Sequence, residues 1–374
     1  MKSILTILSA RASYSRVRSV LFALQDLPDI NSKILLVASA ASPKYGRLQA
    51  YLEEDSLTID WKVESQFDAS VESSMVRTTA ATMTGIADYI INNSVDGVLV
   101  VADRHETIAG SIASSYMNRK TFHLQGGENT GNIDQKVRYA NSFLSDYHFV
   151  ATNIAKSRLE KCGVKPESIF NTGCPSLDFL HESLNRKDIL NQVELGGIGL
   201  SPGEVFKKQY AVVLQHSETT STISARSQIR ATIEAVDRLG IPALWIWPNS
   251  DAGSDDVIRE ITKARESGQL NQVHFERSIM PESFIQILGS ASCVIGNSSV
   301  AIRECSLLGI PAVNIGGRQR DRDRATNVMD VDFQASEIYD SILKQIDHGR
   351  YEPSNLYGDG KSGTRIAKLI RGLI

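Results

Sequence analysis

Short apolar runs recur along this chain, and the segments between them carry apolar residues every three or four positions. Ile4–Leu8, Ile34–Val37 and Gly97–Ala102 are dense in Val, Leu and Ile, and Phe122–Leu124 and His148–Ala151 extend the series. Runs this short, bounded by polar and turn residues, predict buried strands. Ser15–Leu27, Ser74–Asn92, His105–Met117 and Asp134–Ser145 have the spacing of amphipathic helices instead. Steady alternation of the two predicts βαβ units on a mainly parallel sheet, an α/β fold.

A second series starts at Tyr210–Leu214 and runs through Ala243–Trp247, Gln272–Phe275, Cys293–Ile295 and Ala312–Ile315, again with helical spacing between. The stretch separating the series, Gly173 to Lys208, is rich in Pro, Gly, Asn and charge. A hinge near its start predicts a first Rossmann-like domain over 1–175 and a second over 176–354. Doubly wound sheets bind ligands at the C-terminal ends of their strands. Two such domains are expected to face each other across a central cleft, with the polar clusters that follow strands lining it.

Bulk properties narrow the partners. The 374 residues suffice for two cores, and the net charge of −3 comes with no long basic run, so nothing favours a nucleic acid. The densest basic segment, Gly317 to Arg324, alternates with acids. Ile4–Leu8 is followed by Arg11 and reads as a strand, not a signal peptide. No stretch approaches the ~20 apolar residues of a membrane span. Cys162, Cys174, Cys293 and Cys305 have neither C-x-x-C pairing nor zinc spacing, which predicts reduced structural thiols and a cytoplasmic setting.

The clusters that could carry chemistry sit where those strands end. Val294–Gly316 reads as strand, Gly-Asn-Ser-Ser turn, short helix, Gly stop and strand. Ser298 and Ser299 then offer hydroxyls and free N–H groups to a phosphate at a helix start, and Glu304 an acceptor to a ribose diol. An ordinary N-cap explains the same serines. Asp103 follows the strand Gly97–Val101 and is either a carboxylate in a crevice or the cap of the next helix. In His123 to Arg138, Gly126-Gly127 lets the backbone approach a ligand, and Glu128 and Asp134 supply two carboxylates across a tight loop, as acid–base work on a sugar requires. Asp134 is also a plausible cap. His216 ends the first strand of the second series before a hydroxyl-rich loop, Trp247 to Gly253 (with Asn249) shapes a wall, and Arg11 is a fixed cation suited to a diphosphate.

Taken in order, these clusters resemble the hydrolysing UDP-N-acetylglucosamine 2-epimerase family, in particular its bacterial sialic- and legionaminic-acid branch. The resemblance is carried by Ser9–Tyr14, Asp103–Glu106, His123 through Arg138, Gln215–Thr220, Trp247–Gly253, Gly296–Ser299 with Ile302–Glu304, Gly317–Gln319 with Arg324–Ala325, and Tyr357–Lys361. It covers almost the whole chain. It implies a GT-B-like fold of two Rossmann-like domains, with the C-terminal helix, 355–374, packing back on the first. It implies anti elimination of UDP to a 2-acetamidoglucal, then hydration to an N-acetylmannosamine-type sugar. Asp103, Glu128, Asp134 and His216 would do the chemistry, and Arg11, Asn249, Ser298, Ser299 and Glu304 would hold UDP. The resemblance implies no metal or other cofactor, a UDP-sugar as partner, and a homo-oligomer, dimer or tetramer.

Three departures from the family pattern bear on the substrate. Gly-Thr-Arg-Ala-Glu is replaced by Ser9-Ala10-Arg11-Ala12-Ser13, Arg-His by Arg138-Tyr139, and the flexible end of the Ser turn by Val300-Ala301. The substrate alternatives are UDP-N-acetylglucosamine and UDP-2,4-diacetamido-2,4,6-trideoxyglucose. A GT-B glycosyltransferase and a catalytically inactive UDP-sugar sensor are the alternatives of other classes, and the Glu128/Asp134 loop argues against the transferase.

Overall fold

A computed structural model of the protein describes residues 1–42, 48–65, 73–129, 133–180, 183, 195–218, 221–248, 253–277 and 279–374. The chain divides into two compact units, Met1–Phe179 with Tyr357–Ile374, and Leu180–Leu356.

In the first unit the strands are β1 Lys2–Leu8, β2 Ile30–Val37, β3 Trp61–Val63, β4 Gly97–Val101, β5 Lys120–Leu124, β6 Tyr147–Val150 and β7 Ile169–Asn171. They form one sheet in the order β3-β2-β1-β4-β5-β6-β7, with every pair parallel. The helices are α1 Arg11–Ser15, α2 Arg18–Gln25, α3 Leu48–Glu54, α4 Ser74–Asn92, α5 Thr107–Tyr116, α6 Ile133–Leu144 and α7 Asn153–Lys161. Helices cover both faces, so successive strand residues feed two cores. Ile4 and Leu8 join Val20, Leu21 and Leu24 of α2 and Ile366, Ala367 and Ile370 of the C-terminal helix Ser362–Leu373. Leu5 and Ile7 point the other way, into Ile86 and Ile90 of α4 and Ala109 of α5. This two-sided burial is why the central strands read as unbroken apolar runs.

The second unit repeats the plan with β8 Ile198–Gly199, β9 Ala211–Leu214, β10 Ala243–Ile246, β11 Val273–Glu276, β12 Cys293–Gly296, β13 Ala312–Ile315 and β14 Val328–Val331. Its order is β14-β13-β12-β9-β10-β11-β8, parallel except for β8 against β11. Helices α8 Pro202–Val205, α9 Ala225–Asp237, α10 Ser254–Glu266, α11 Pro281–Ser290, α12 Glu304–Leu308 and α13 Ala335–His348 pack around it. Trp245 and Phe275, stacked at 5.8 Å, centre one face of its core. No helix among the described residues is long and apolar enough to cross a membrane.

Strand order reverses between β1 and β4 in the first sheet and between β9 and β12 in the second. Such reversals open a crevice at the strand ends. Ser9 and Asp103 flank the first crevice, Gln215 and Asn297 the second.

Two elements differ from expectation. The helix expected over Ser15–Leu27 is two, α1 and α2, broken at Arg16 and Val17. The helix expected after Ser299 is a 3-10 turn, Ser299–Ala301, then the five-residue α12. Val300 and Ile302 are β-branched, which lowers helix propensity there. The carbonyl of Ala301 takes a side-chain donor, Asn327 Nδ2 at 3.5 Å, and that of Arg303 takes Ser306 Oγ at 2.8 Å beside the Leu307 N–H at 3.3 Å.

Candidate active site

In the first unit, the chain leaves the fully buried β4 through Ala102, whose φ of 61° turns it sharply. Asp103, itself 5% exposed, then meets two guanidinium groups. Arg16 Nη1 lies 3.2 Å from Oδ1, and Arg138 Nη2 donates to Oδ2. Arg138 is buried on α6 and turns its other nitrogen, Nη1, to the carbonyl of Glu128 at 2.6 Å. One side chain therefore joins the loops after β4 and β5. Asp134 is the second residue of α6, one helical turn before Arg138 and so on the same face.

Glu128 is 2% exposed, and its loop is anchored residue by residue. Arg158 Nη1 donates to Gly127 O at 3.4 Å, and Tyr139 Oη donates to Asn129 Oδ1 at 2.9 Å. A Cβ on Gly126 would lie 2.8 Å from Ser142 Oγ, and one on Gly127, where φ is 75°, 2.4 Å from Ala155 O. Close backbone approach is thus used against α6, α7 and His123. Beneath the loop, His123 is fully buried, with Nε2 2.9 Å from Ala102 O and Nδ1 3.0 Å from Ser142 Oγ. A carbonyl only accepts, so Nε2 carries the proton. Burial pushes the imidazole pKa down to about 4, against the backbone hydrogen bond and the charge of Glu128, and the ring is neutral.

Neither carboxylate proposed as a possible helix cap is one. The N-cap of α5 is Glu106, three residues beyond Asp103, and Asp134 lies inside the first turn of α6. Arg11 begins α1, but its side chain lies outside the described residues.

The second unit centres its crevice on a neutral residue, with charged side chains bonding to main chain around it. β9 and β12 run together to the pair Leu214–Gly296, where Gly296 turns away at φ 128°. The next residue, Asn297, is fully buried. Its Oδ1 accepts from the His216 N–H, and its Nδ2 donates to the His216 carbonyl, both at 2.9 Å. Its own carbonyl accepts from Arg318 Nη1 at 3.2 Å and Gln319 Nε2 at 3.0 Å. His216 is buried, while Ser298 and Ser299 are half-buried beside it in sequence from Asn297. Ser298 Oγ accepts from Val300 N–H at 3.4 Å and so caps the 3-10 turn. The helix dipole expected behind these serines is shortened to that single turn, and the hydroxyls and turn amides are what they can offer. Glu304 opens α12. Glu218 Oε2 accepts from Gly317 N–H at 2.7 Å, tying the loop after β9 to the loop after β13. Asn249 lies outside the described residues.

Within the first unit, Arg138 brings Asp103 and Glu128 together. Within the second, Asn297 joins His216 to the serine turn. Sequence reasoning does not find Arg16, and it places Asn297 with Ser298 and Ser299 at the start of the turn but not against His216. The signal for Asn297 was its place directly after β12, opposite His216.

Against known proteins, the family profile described as UDP-N-acetylglucosamine 2-epimerase matches residues 23–371. The chain belongs to this family. A Legionella pneumophila relative named UDP-N,N'-diacetylbacillosamine 2-epimerase (hydrolyzing) is 30% identical, over 99% of this chain and 96% of its own. An Escherichia coli relative named polysialic acid biosynthesis protein P7 is 29% identical, over 91% and 85%. The crystal structure of a UDP-GlcNAc 2-epimerase from Neisseria meningitidis bound to UDP-GlcNAc superposes with a TM-score of 0.83 at 18% identity, over 99% of this chain and 100% of that one. The expected α/β fold of GT-B type is therefore the fold of this chain, and its class is that of the family, a hydrolysing UDP-sugar 2-epimerase. The match decides for the epimerase over the transferase.

Proposed function

We propose that the protein converts UDP-N-acetylglucosamine, or a related UDP-2-acetamido sugar, to UDP and the free N-acetylmannosamine-type sugar. The observation that carries this is Arg138, which ties a buried Asp103 to the main chain of a buried Glu128, with Asp134 one turn before it. Elimination needs a carboxylate held rigidly at a carbon of low acidity, and that arrangement supplies it.

Cleavage of the C1–O bond leads, because the C2 proton is weakly acidic and the sugar ring can carry oxocarbenium charge. The bonding pair leaves on the β-phosphate oxygen, a carboxylate takes the C2 proton, and a C1–C2 double bond remains. Water then adds its oxygen at C1, and a proton returns to C2 on the other face. Both oxygens of Asp103 are engaged by arginines, so its role is to hold Arg16 and Arg138, and Glu128 and Asp134 move the protons. Arg11, His216, Ser298 and Ser299 would stabilise the departing diphosphate, with Asn249 lining the site and Glu304 on the ribose. The enzyme would work in the cytoplasm as a homo-oligomer, supplying sialic or legionaminic acid synthesis; the name of the Escherichia coli relative supports the sialic-acid reading.

The substrate has a second reading. The name of the Legionella pneumophila relative supports UDP-2,4-diacetamido-2,4,6-trideoxyglucose. Both sugar nucleotides should be incubated with the protein in D₂O and followed by NMR. Free sugar deuterated at C2, with UDP released in step, is the expected result, and the faster substrate is the physiological class. UDP release without C2 deuterium would overturn the epimerase mechanism, and no turnover of either would leave the sensor.

A further inference from the structure

The amide side chain of Asn297 stands where a strand would. The β9–β12 ladder ends at Leu214 and Gly296, and the turn at Gly296 carries the main chain away from His216. A carboxamide holds a donor and an acceptor in one plane, as a peptide group does. Asn297 turns the acceptor to the N–H of His216 and the donor to its carbonyl. Its own N–H reaches Leu214 O at 3.1 Å, so main chain and side chain together grip Leu214 at the end of β9 and His216 two residues on. Its carbonyl takes Arg318 and Gln319 from the loop after β13. Three strand ends are thereby locked to one fully buried residue that has no charge of its own.

We infer that Asn297 is a positioning residue, fixing the backbone of His216, and the serine turn that follows Asn297, for action on the departing diphosphate. The inference rests on the proposed role of His216 in turnover. Asp at this position keeps the size and still accepts from the His216 N–H, but it sets a second acceptor against the His216 carbonyl, so one of the two bonds becomes a repulsion. Ser keeps neither reach.

The test compares the full-length wild type with Asn297→Asp, Asn297→Ser, His216→Ala and the Asn297→Asp/His216→Ala double variant. Initial rates of UDP release from the better substrate give kcat and KM, and selective ¹⁵N-histidine labelling gives the amide signals of the seven histidines. The His216 signal is the one lost in His216→Ala. Expected is about a hundredfold fall in kcat for Asn297→Asp with KM within a few-fold, the scale of a small misplacement in an active site. The His216 amide should move in both Asn297 variants. In the His216→Ala background, Asn297→Asp should cost less than about threefold, since coupled residues are not additive. Equal factors in the two backgrounds, or a KM effect with unchanged kcat, would overturn the inference. An unmoved His216 amide would do the same even if Asn297→Asp folds poorly, because Asn297→Ser reports it independently. If His216→Ala turns over normally, it is the proposed role of His216 that fails.

Discussion

The two sheets reverse their strand order in the same way and hold the resulting crevices by opposite means. In the first unit the loops after β4 and β5 are tied by charge, Arg16 and Arg138 on Asp103 and Arg138 on Glu128 O. In the second, the loops after β9, β12 and β13 meet on the neutral amide and carbonyl of Asn297, with Arg318 and Glu218 bonding to main chain. Under the proposed mechanism the difference follows from what each crevice must present. A site that moves protons at carbon needs carboxylates packed close together, and a buried carboxylate needs a cation to stay buried. A site that receives an anionic leaving group has less use for buried ion pairs, and here the charged side chains, Glu218 and Arg318, bond to main-chain groups of the neighbouring loops.

The largest effect should come from the residue the charged clamp exists to aim. Glu128→Gln is expected to lower turnover by about a thousandfold or more while leaving affinity for UDP within a few-fold, measured by NMR and by calorimetric titration. A comparable loss of UDP affinity would erase the division between the two crevices. Next comes the clamp itself. Arg138→Met leaves Asp103 buried against a reduced cation and should cost about 3–5 kcal/mol in urea unfolding, with a large loss of turnover. Adding Asp103→Asn should recover part of the stability but not the turnover. Simple additivity of the two stability losses would mean that Asp103 and Arg138 do not act as a pair.

How much of this was legible in the chain depends on how each feature is encoded. The central strands are buried on both faces and announced themselves as apolar runs. The edge strands β3 (WKV), β7 (IFN) and β14 (VMDV) are short and mixed, and they passed unnoticed. Asp103 and Glu128 stood out because acids directly after apolar strands are conspicuous. What they do to each other was not legible, because Arg138 reaches them from a helix and only the fold brings it there. Asp103 and Asp134 looked like caps because a cap and a site carboxylate have the same local sequence. The break after Ala301 was hidden for a related reason: apolar spacing persists through it while the side chain of Asn327 meets the Ala301 carbonyl.

The charged crevice should also be the acid-sensitive one. His123 stays neutral in the native state down to about pH 4, and burial beside His123 pushes His148 lower, to about 3. In the unfolded chain both take up a proton near pH 6.5. Below that value the unfolded state binds more protons, so stability falls as pH falls, and for His123 the loss levels off below about pH 4. His123 accounts for about 3 kcal/mol over the whole window. Urea titrations at neutral pH and at about pH 5 should show the loss in wild type and a smaller one in His123→Gln. An equal loss would place the acid sensitivity elsewhere.

The smallest change sharpens the contrast most finely. Tyr139 stands where the family pattern has histidine, and its hydroxyl holds Asn129, the residue after Glu128. A tyrosine hydroxyl there stays protonated, because burial raises its pKa, so this anchor of the Glu128 loop does not titrate in the range where a histidine would. Tyr139→Phe should cost about 1 kcal/mol and leave the pH–rate profile in shape. Tyr139→His should retain the anchor at neutral pH and add a new inflection on the acid side. If the profile of Tyr139→His matches wild type throughout, the hydroxyl has no part in holding Glu128.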